Sequence, residues 1–309
     1  MKVTAFFRLI RWKNLLMIAL IQLLFRFVYF PEFSVATTLH NFTFFMLVLA
    51  TLFIAAAGYI INDIYDVEAD RINKPSKVFI TEAIPPKKAY LLYYLFNIIG
   101  LLSGFYVSYS IKKPSYVALF LIVMLLLKVY NTDLKRLPLI GNIIVSLMVT
   151  LAIMLLGFFD IIPAVTDANR ETQYYAFKVL SDYAIFAFMF MFLRELIKDI
   201  EDVNGDIKLN MKTLPILIGR KRARNVVFAL CFIPMILVTY YSFINFSEVP
   251  FVLAYMLIVV LLPLLYTMTK ILYSKTKKDD AFTSKMLKLI MLLGILSVVV
   301  ISININYAE

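Results

Sequence analysis

The chain is predicted to be all-α, a polytopic membrane protein with about nine transmembrane helices in a bundle. Three observations predict this. Of its 309 residues, 62% are hydrophobic and only 17% charged, where soluble domains run near half apolar and a quarter charged. The apolar residues are gathered into runs of about 18 to 25, the length that spans a bilayer as helix. The basic residues are segregated as alternating loops require: all but five of the 31 Lys and Arg fall on one side of a nine-span scheme.

Taken in order, the spans are expected at roughly 14–30, 42–61, 89–111, 115–131, 139–159, 174–197, 225–244, 250–272 and 286–304. The first follows Lys2, Arg8, Arg11, Trp12 and Lys13 with no small-residue cleavage site after it. It therefore reads as a retained helix, with Trp12 as an interfacial anchor. Pro31 follows the first span, and Pro114, Pro138 and Pro250 stand at the starts of the fourth, fifth and eighth, where a missing N–H is tolerated. The sixth carries Lys178 and Asp182 early and Arg194 and Glu195 late, leaving a clean stretch from Tyr183 to Leu193. No linker or composition shift divides the chain, so residues 1–309 are expected to form a single domain.

The charge asymmetry sets the expected topology. The N-terminus and the loops 62–88, 132–138, 198–224 and 273–285 carry the basic excess and are placed in the cytoplasm, with the C-terminus outside. Only Arg26, Lys112, Lys113, Arg170 and Lys178 fall on the other side. The net charge of +11 is thus explained by topology and anionic lipid, and nucleic acid is not needed as a partner. The lone Cys231 allows no disulfide within the chain and reads as a buried, inert thiol. His40, the only histidine, falls on the side away from the acidic loops.

The chemistry is concentrated in a doubled motif. Asp-x-x-Asp-x-x-x-Asp occurs as Asp63, Asp66, Asp70 after the second span and as Asp199, Asp202, Asp206 after the sixth, 136 residues apart. The four-span offset hints at an internal repeat. Residues three and four apart share one helix face. Like charges stacked in this way destabilise a helix unless cations neutralise them. A hard divalent ion is the natural counter-charge, and Mg²⁺ takes one or two carboxylates together with substrate phosphates. Asn62 adds a neutral oxygen or an N–H beside the first motif. Lys198, Lys208 and Lys212, with the cluster Arg220 to Arg224, alternate with the second. Acids that hold metal beside bases that hold phosphate oxygens suit a metal-bridged diphosphate. A single such loop would read as an ordinary solvated surface; two copies of identical spacing on one membrane face do not. A cation transporter would place its acids near the midplane, and a silent scaffold has no need of both motifs. These remain the non-enzymatic alternatives.

Asn62-Asp63-x-x-Asp66-x-x-x-Asp70 after the second span, with a second acidic motif after the sixth, resembles the UbiA family of membrane prenyltransferases. The segment Tyr130-Asn131-Thr132-Asp133-Leu134-Lys135-Arg136 and the pair Gly141-Asn142 are similar to intervening family segments. The resemblance covers the whole chain and implies an enzyme that moves a polyprenyl group from its diphosphate to an acceptor in the membrane. It implies Mg²⁺ on Asp66, Asp70, Asp202 and Asp206. It also implies a diphosphate held by Asn62, Lys135, Lys198 and Lys212, and Tyr130 near the allylic carbon. The first loop departs from the family's arginine-containing pattern and reads Asn73-Lys74-Pro75-Ser76-Lys77, which leaves Lys77 as the cation at that corner. Asp63 and Asp199 are the candidates for taking a proton from the acceptor. The cluster Arg220 to Arg224 reads first as a contact for anionic headgroups and second as a seat for an acceptor phosphate.

Within the family, the string from Arg194 to Asp206 with Lys212-Thr213-Leu214-Pro215 is most similar to the digeranylgeranylglyceryl phosphate synthases. That branch implies geranylgeranyl transfer to the hydroxyl of a glyceryl phosphate lipid precursor. An aromatic quinone precursor or a chlorophyllide-type acceptor is the alternative.

Overall fold

The computed structural model describes residues 3–75, 78 and 80–305. Among these, nine helices are long and apolar enough to cross a membrane. They are α1 (Trp12–Glu32), α2 (Asn41–Tyr65), α3 (Pro86–Ser110), α4 (Pro114–Thr132), α5 (Ile140–Ala164), α6 (Arg170–Lys208), α7 (Arg220–Phe246), α8 (Pro250–Tyr273) and α9 (Lys277–Asn304). The expected nine-span, all-helical bundle is therefore present. Short helices at Val3–Leu9, Val67–Asn73 and Leu214–Ile218 lie between or before the spans.

Proline sets the internal irregularities. π-Helical turns occupy Phe25–Tyr29, Gly157–Ile161 and Tyr255–Leu261. Each ends two residues before a proline: Pro31, Pro163 and Pro263. A proline ring clashes with the carbonyl one turn earlier and supplies no N–H to it. Widening the preceding turn relieves the clash while the helix continues. α7 is interrupted once, at Cys231, which is buried and unpaired.

Packing divides the bundle. α2 lies against α3 and α4, while α6 lies between α5 and α9, and α1 touches α2, α5 and α9. One core centres on Phe25, Phe30, Phe44, Leu156, Phe159 and Leu180. A second joins α6 to α7, α8 and α9 through Leu193, Ile197, Val227, Leu264 and Ile290. Leu91, Leu102, Leu125 and Phe251 point outward, more than 60% exposed, as lipid-facing residues do. Lipid tails are as apolar as these cores, so polar ties carry much of the specificity between helices. Gln22 of α1 donates to the Ala152 carbonyl of α5 at 2.7 Å. At the far end, the fully buried Asp160 accepts the Leu39 N–H at 2.8 Å and pairs with Arg26 at 3.3 Å.

The largest departure from expectation is in α6. It runs unbroken for 39 residues, past the expected end at 197, and carries the whole second motif on helix instead of loop. The reason is a continuing apolar stripe: Leu193, Leu196, Ile197, Ile200 and Val203 are all buried at helical spacing. α7 likewise starts five residues before its expected position and takes Arg220 to Arg224 into its first turns.

Candidate active site

The first motif sits where α2 ends. The Asp66 N–H still donates to the Asn62 carbonyl, at 2.9 Å, but the α-helix stops at Tyr65. Helix Val67–Asn73 restarts at once, and the Asp70 N–H reaches the Asp66 carbonyl at 2.8 Å. Asp63, Asp66 and Asp70 thus follow a nearly continuous helical path with one soft joint. The second motif lies on a regular helix, so the three-plus-four spacing puts Asp199, Asp202 and Asp206 on one face.

Asn73 locks the two motifs together. Its amide donates to the Asp202 carbonyl at 2.7 Å and accepts from the Gly205 N–H at 2.9 Å. This approach requires glycine. A Cβ on residue 205 would collide with the Asn73 amide and sit 2.7 Å from the Ala69 carbonyl oxygen. Lys277 adds a third tie by donating to the Asn73 carbonyl at 2.6 Å.

Between the motifs lies a cavity of about 380 Å³. Asn62, Asp66 and Asp70 face it from one side, and Lys198, Asp199, Asp202 and Asp206 from the other. Tyr130, Asn131 and Lys135 complete the polar end. The rest of the wall is apolar, with Ile54, Phe120, Leu127, Val145, Met148 and Phe158.

Several carboxylates already hold cations. Lys135 bonds Asp66, Lys74 bonds Asp202 at 2.5 Å, and Arg11 bonds Asp63 at 2.9 Å. Arg11 also donates to Asn62 at 2.7 Å, and the Asn62 amide donates to Asp66 at 2.8 Å. Asn142 donates to Asp199 at 2.8 Å. Burial alone would lower the Lys74 ammonium, but Asp202 and Glu201 outweigh it and hold its pKa above the ordinary lysine range. The same balance, with Asp63 as the main partner, raises Arg11.

Other carboxylate oxygens are left without a hydrogen-bond partner. Asp70 and Asp206 accept no side-chain hydrogen bond and form no ion pair among the described residues, and the buried Oδ1 of Asp202 has no hydrogen-bond partner. Burial, with the charges of Asp66 and Asp63, pushes the Asp70 carboxyl up to about 6. Orphaned hard oxygens in a dry polar pocket are what a divalent cation satisfies. Among the described residues no three acidic, histidine or cysteine side chains converge tightly enough to cage an ion.

The other sequence candidates are placed as follows. Tyr130 lines the cavity. Asp63 lies off its wall, held by Arg11. Lys212 is exposed and off the wall; its backbone N–H donates to the Arg136 carbonyl at 2.9 Å. Lys77 lies outside the described residues. In the basic cluster, Arg220 donates to Asn204 and Arg224 pairs with Asp280 at 2.7 Å, and neither lines the cavity. His40 caps the opposite end of α2. The structure adds residues that the sequence did not single out: Arg11, Asn73, Lys74, Glu195 and Lys277. Asn73 and Lys74 adjoin the first motif, which is a signal in itself. Arg11 gave none, because it reaches Asn62 only through a left-handed turn at φ 49°.

A digeranylgeranylglyceryl phosphate synthase from Sulfolobus acidocaldarius is 33% identical over 231 residues, 72% of each chain. A solved structure described as a digeranylgeranylglyceryl phosphate synthase in membranes superposes with TM-score 0.59 at 23% identity, over 98% of this chain and 99% of that one. A UbiA homologue from Archaeoglobus fulgidus, solved with DMAPP and Mg²⁺, gives TM-score 0.55 at 18% identity, over 96% and 99%. Residues 23–296 match the UbiA prenyltransferase family, and the chain, an integral membrane enzyme, belongs to that family.

Proposed function

We propose that this prenyltransferase moves a geranylgeranyl group from its diphosphate to the hydroxyl of a glyceryl phosphate lipid precursor, in a Mg²⁺-dependent reaction. The observation that carries the reading is the cavity itself: carboxylates of the two facing motifs with Lys74, Lys135 and Lys198 at one end, an apolar wall at the other. Relatives spanning most of the chain's length, described as digeranylgeranylglyceryl phosphate synthases, support the choice of acceptor. The whole chain, 1–309, acts as one domain, with the acid-bearing ends of α2 and α6 on the cytoplasmic side, as the basic excess there supports.

Asp66, Asp70, Asp202 and Asp206 would hold Mg²⁺, which when bound would supply Lewis-acid neutralisation of the departing diphosphate. Lys135 and Lys198 donate to the remaining phosphate oxygens. Asn62 fixes Asp66 through its amide hydrogen bond. The allylic C–O bond breaks and its electron pair leaves with the diphosphate. The Tyr130 ring offers its negative face to the positive charge that develops on carbon. The acceptor oxygen forms the new C–O ether bond and its proton passes to a carboxylate. Asp199 suits that role better than Asp63. It faces the cavity with a single neutral partner, Asn142, whereas Asp63 lies off the wall under Arg11.

The test is purified protein with geranylgeranyl diphosphate, Mg²⁺ and separate acceptors: geranylgeranylglyceryl phosphate, an aromatic acid and chlorophyllide. Ether product from the first is expected, lost in Asp66→Ala and Asp202→Ala. Transfer to the aromatic acid alone would overturn the acceptor. Full turnover by both variants would overturn the role of the motifs.

A further inference from the structure

A second cavity lies beside the first, between α1, α6, α7, α8 and α9. Asn14, Tyr59 and Arg194, with the apolar Ile18, Val149, Ala152 and Met191, wall both cavities, so the two adjoin along that face and its polar end is at Asn14, Tyr59 and Arg194. Away from this junction the second chamber is apolar, walled by Met17, Ile21, Phe186, Phe190, Val260 and Met291. It reaches Asp182 on α6, twelve residues from Arg194, a depth of about 18 Å at the rise of a helix.

The junction is cationic. Lys288 also lines the chamber, near the start of the apolar run of α9 on the side that carries the basic excess. Among the described residues it forms no ion pair, and its one hydrogen bond goes to the neutral Asn14 side chain. A half-buried lysine without a counter-charge favours an anionic ligand. Arg194 bonds Glu195 through Nη1, but its buried Nε has no hydrogen-bond partner. Arg194, paired with Glu195, and Lys288, which forms no ion pair among the described residues, bring cationic groups to the junction, while Arg11 nearby is held by Asp63.

Gly294 supplies an independent observation. It sits mid-helix in α9 and lines the chamber, and a Cβ built on it meets nothing within 4 Å. Helix–helix contact therefore does not require glycine there. Glycine in a helix interior is unfavourable relative to alanine, and its effect at this position is to leave the chamber wide.

We infer that this second chamber takes the hydrocarbon chain of the acceptor, that Arg194 and Lys288 take the acceptor's phosphate, and that Gly294 sets the width available to the chain. The inference rests on the proposed function and deepens it: both substrates are long-chain amphiphiles, so two dry compartments must meet at one reacting point. The apolar wall of the first cavity serves the donor chain, and the second serves the acceptor.

The experiment uses the full chain in lipid nanodiscs with Mg²⁺ and geranylgeranyl diphosphate. Geranylgeranylglyceryl phosphate is compared with an analogue carrying one prenyl unit on the same head. Gly294→Phe is expected to raise KM at least tenfold for the long acceptor, with the short acceptor and donor affinity changed less than twofold. Gly294→Ala raises KM for the long acceptor as well, by less than Gly294→Phe does. Lys288→Gln raises KM about tenfold for both acceptors, and Lys288→Arg restores it. The inference is overturned by a Gly294→Phe variant that binds donor normally and keeps the parent KM for the long acceptor. It is equally overturned if that variant weakens the donor instead, or if Lys288→Gln changes neither KM. A parent enzyme that prenylates only an aromatic acid overturns the proposed function itself, an outcome read before any variant is made.

Discussion

Gly205→Ala tests how the two motifs are held in register. The added methyl falls on the Asn73 amide and within 2.7 Å of the Ala69 carbonyl oxygen, both on or at the end of helix Val67–Asn73. That helix must move away from α6, and the Asn73 hydrogen bonds at 2.7 and 2.9 Å break. At about 1 kcal/mol net for each bond, docking of the first motif loses about 2 kcal/mol, a factor of about 30 in the population of the assembled site. The α6 helix itself gains about 1 kcal/mol from replacing glycine, so the net cost to the fold is only about 1 kcal/mol. Mg²⁺-dependent binding of a non-hydrolysable geranylgeranyl diphosphate analogue, measured by titration, should weaken by about that factor, with a melting temperature only slightly below the parent's. Asn73→Ala alone should produce a similar loss. Because both changes break the same contact, the double variant should be no worse than the poorer single one. Parent affinity in Gly205→Ala, or full additivity in the pair, would refute the account.

Asp160→Ala should lower stability by about 3 to 5 kcal/mol, because it leaves Arg26 buried without its partner. This reads as a lower melting temperature with donor affinity retained in the folded fraction. Tyr130→Phe should keep most of kcat and Tyr130→Leu should lose it about tenfold or more, since the ring face and not the hydroxyl is invoked; steady-state kinetics separates the two. Chelation of Mg²⁺ should abolish donor binding while leaving the melting temperature within a degree or two. Lys74 and Lys135 already neutralise Asp202 and Asp66 in the protein alone.

The spans were legible because bilayer thickness forces their length, and the motifs because carboxylates at three-plus-four spacing have few structural uses. The end of α6 was misread for a specific reason. Hydropathy falls after Ile197 as acids and lysines enter, yet Ile200 and Val203 continue the buried stripe, so periodicity held the better signal. The π-turns could have been placed from Pro31, Pro163 and Pro263. What sequence could not supply was contact across distance. Asn73 meets α6 some 130 residues later in the chain, and Arg11 folds back onto Asn62. Lys212 follows the second motif closely but points away from the cavity, since Leu209 already ends the helix.

The length of α6 has one more implication. Thirty-nine helical residues make a rod of about 58 Å, nearly twice the roughly 30 Å of a hydrocarbon core. Asp199, Asp202 and Asp206, Arg194, and the Asp182 that the second chamber reaches all belong to this one helix. On the proposed function, one helix thus carries contacts for the donor's head and for the acceptor's chain at fixed separations. Lipids float at depths fixed by their own heads and tails, so a bilayer too thin or too thick for that spacing would misalign the two reactants.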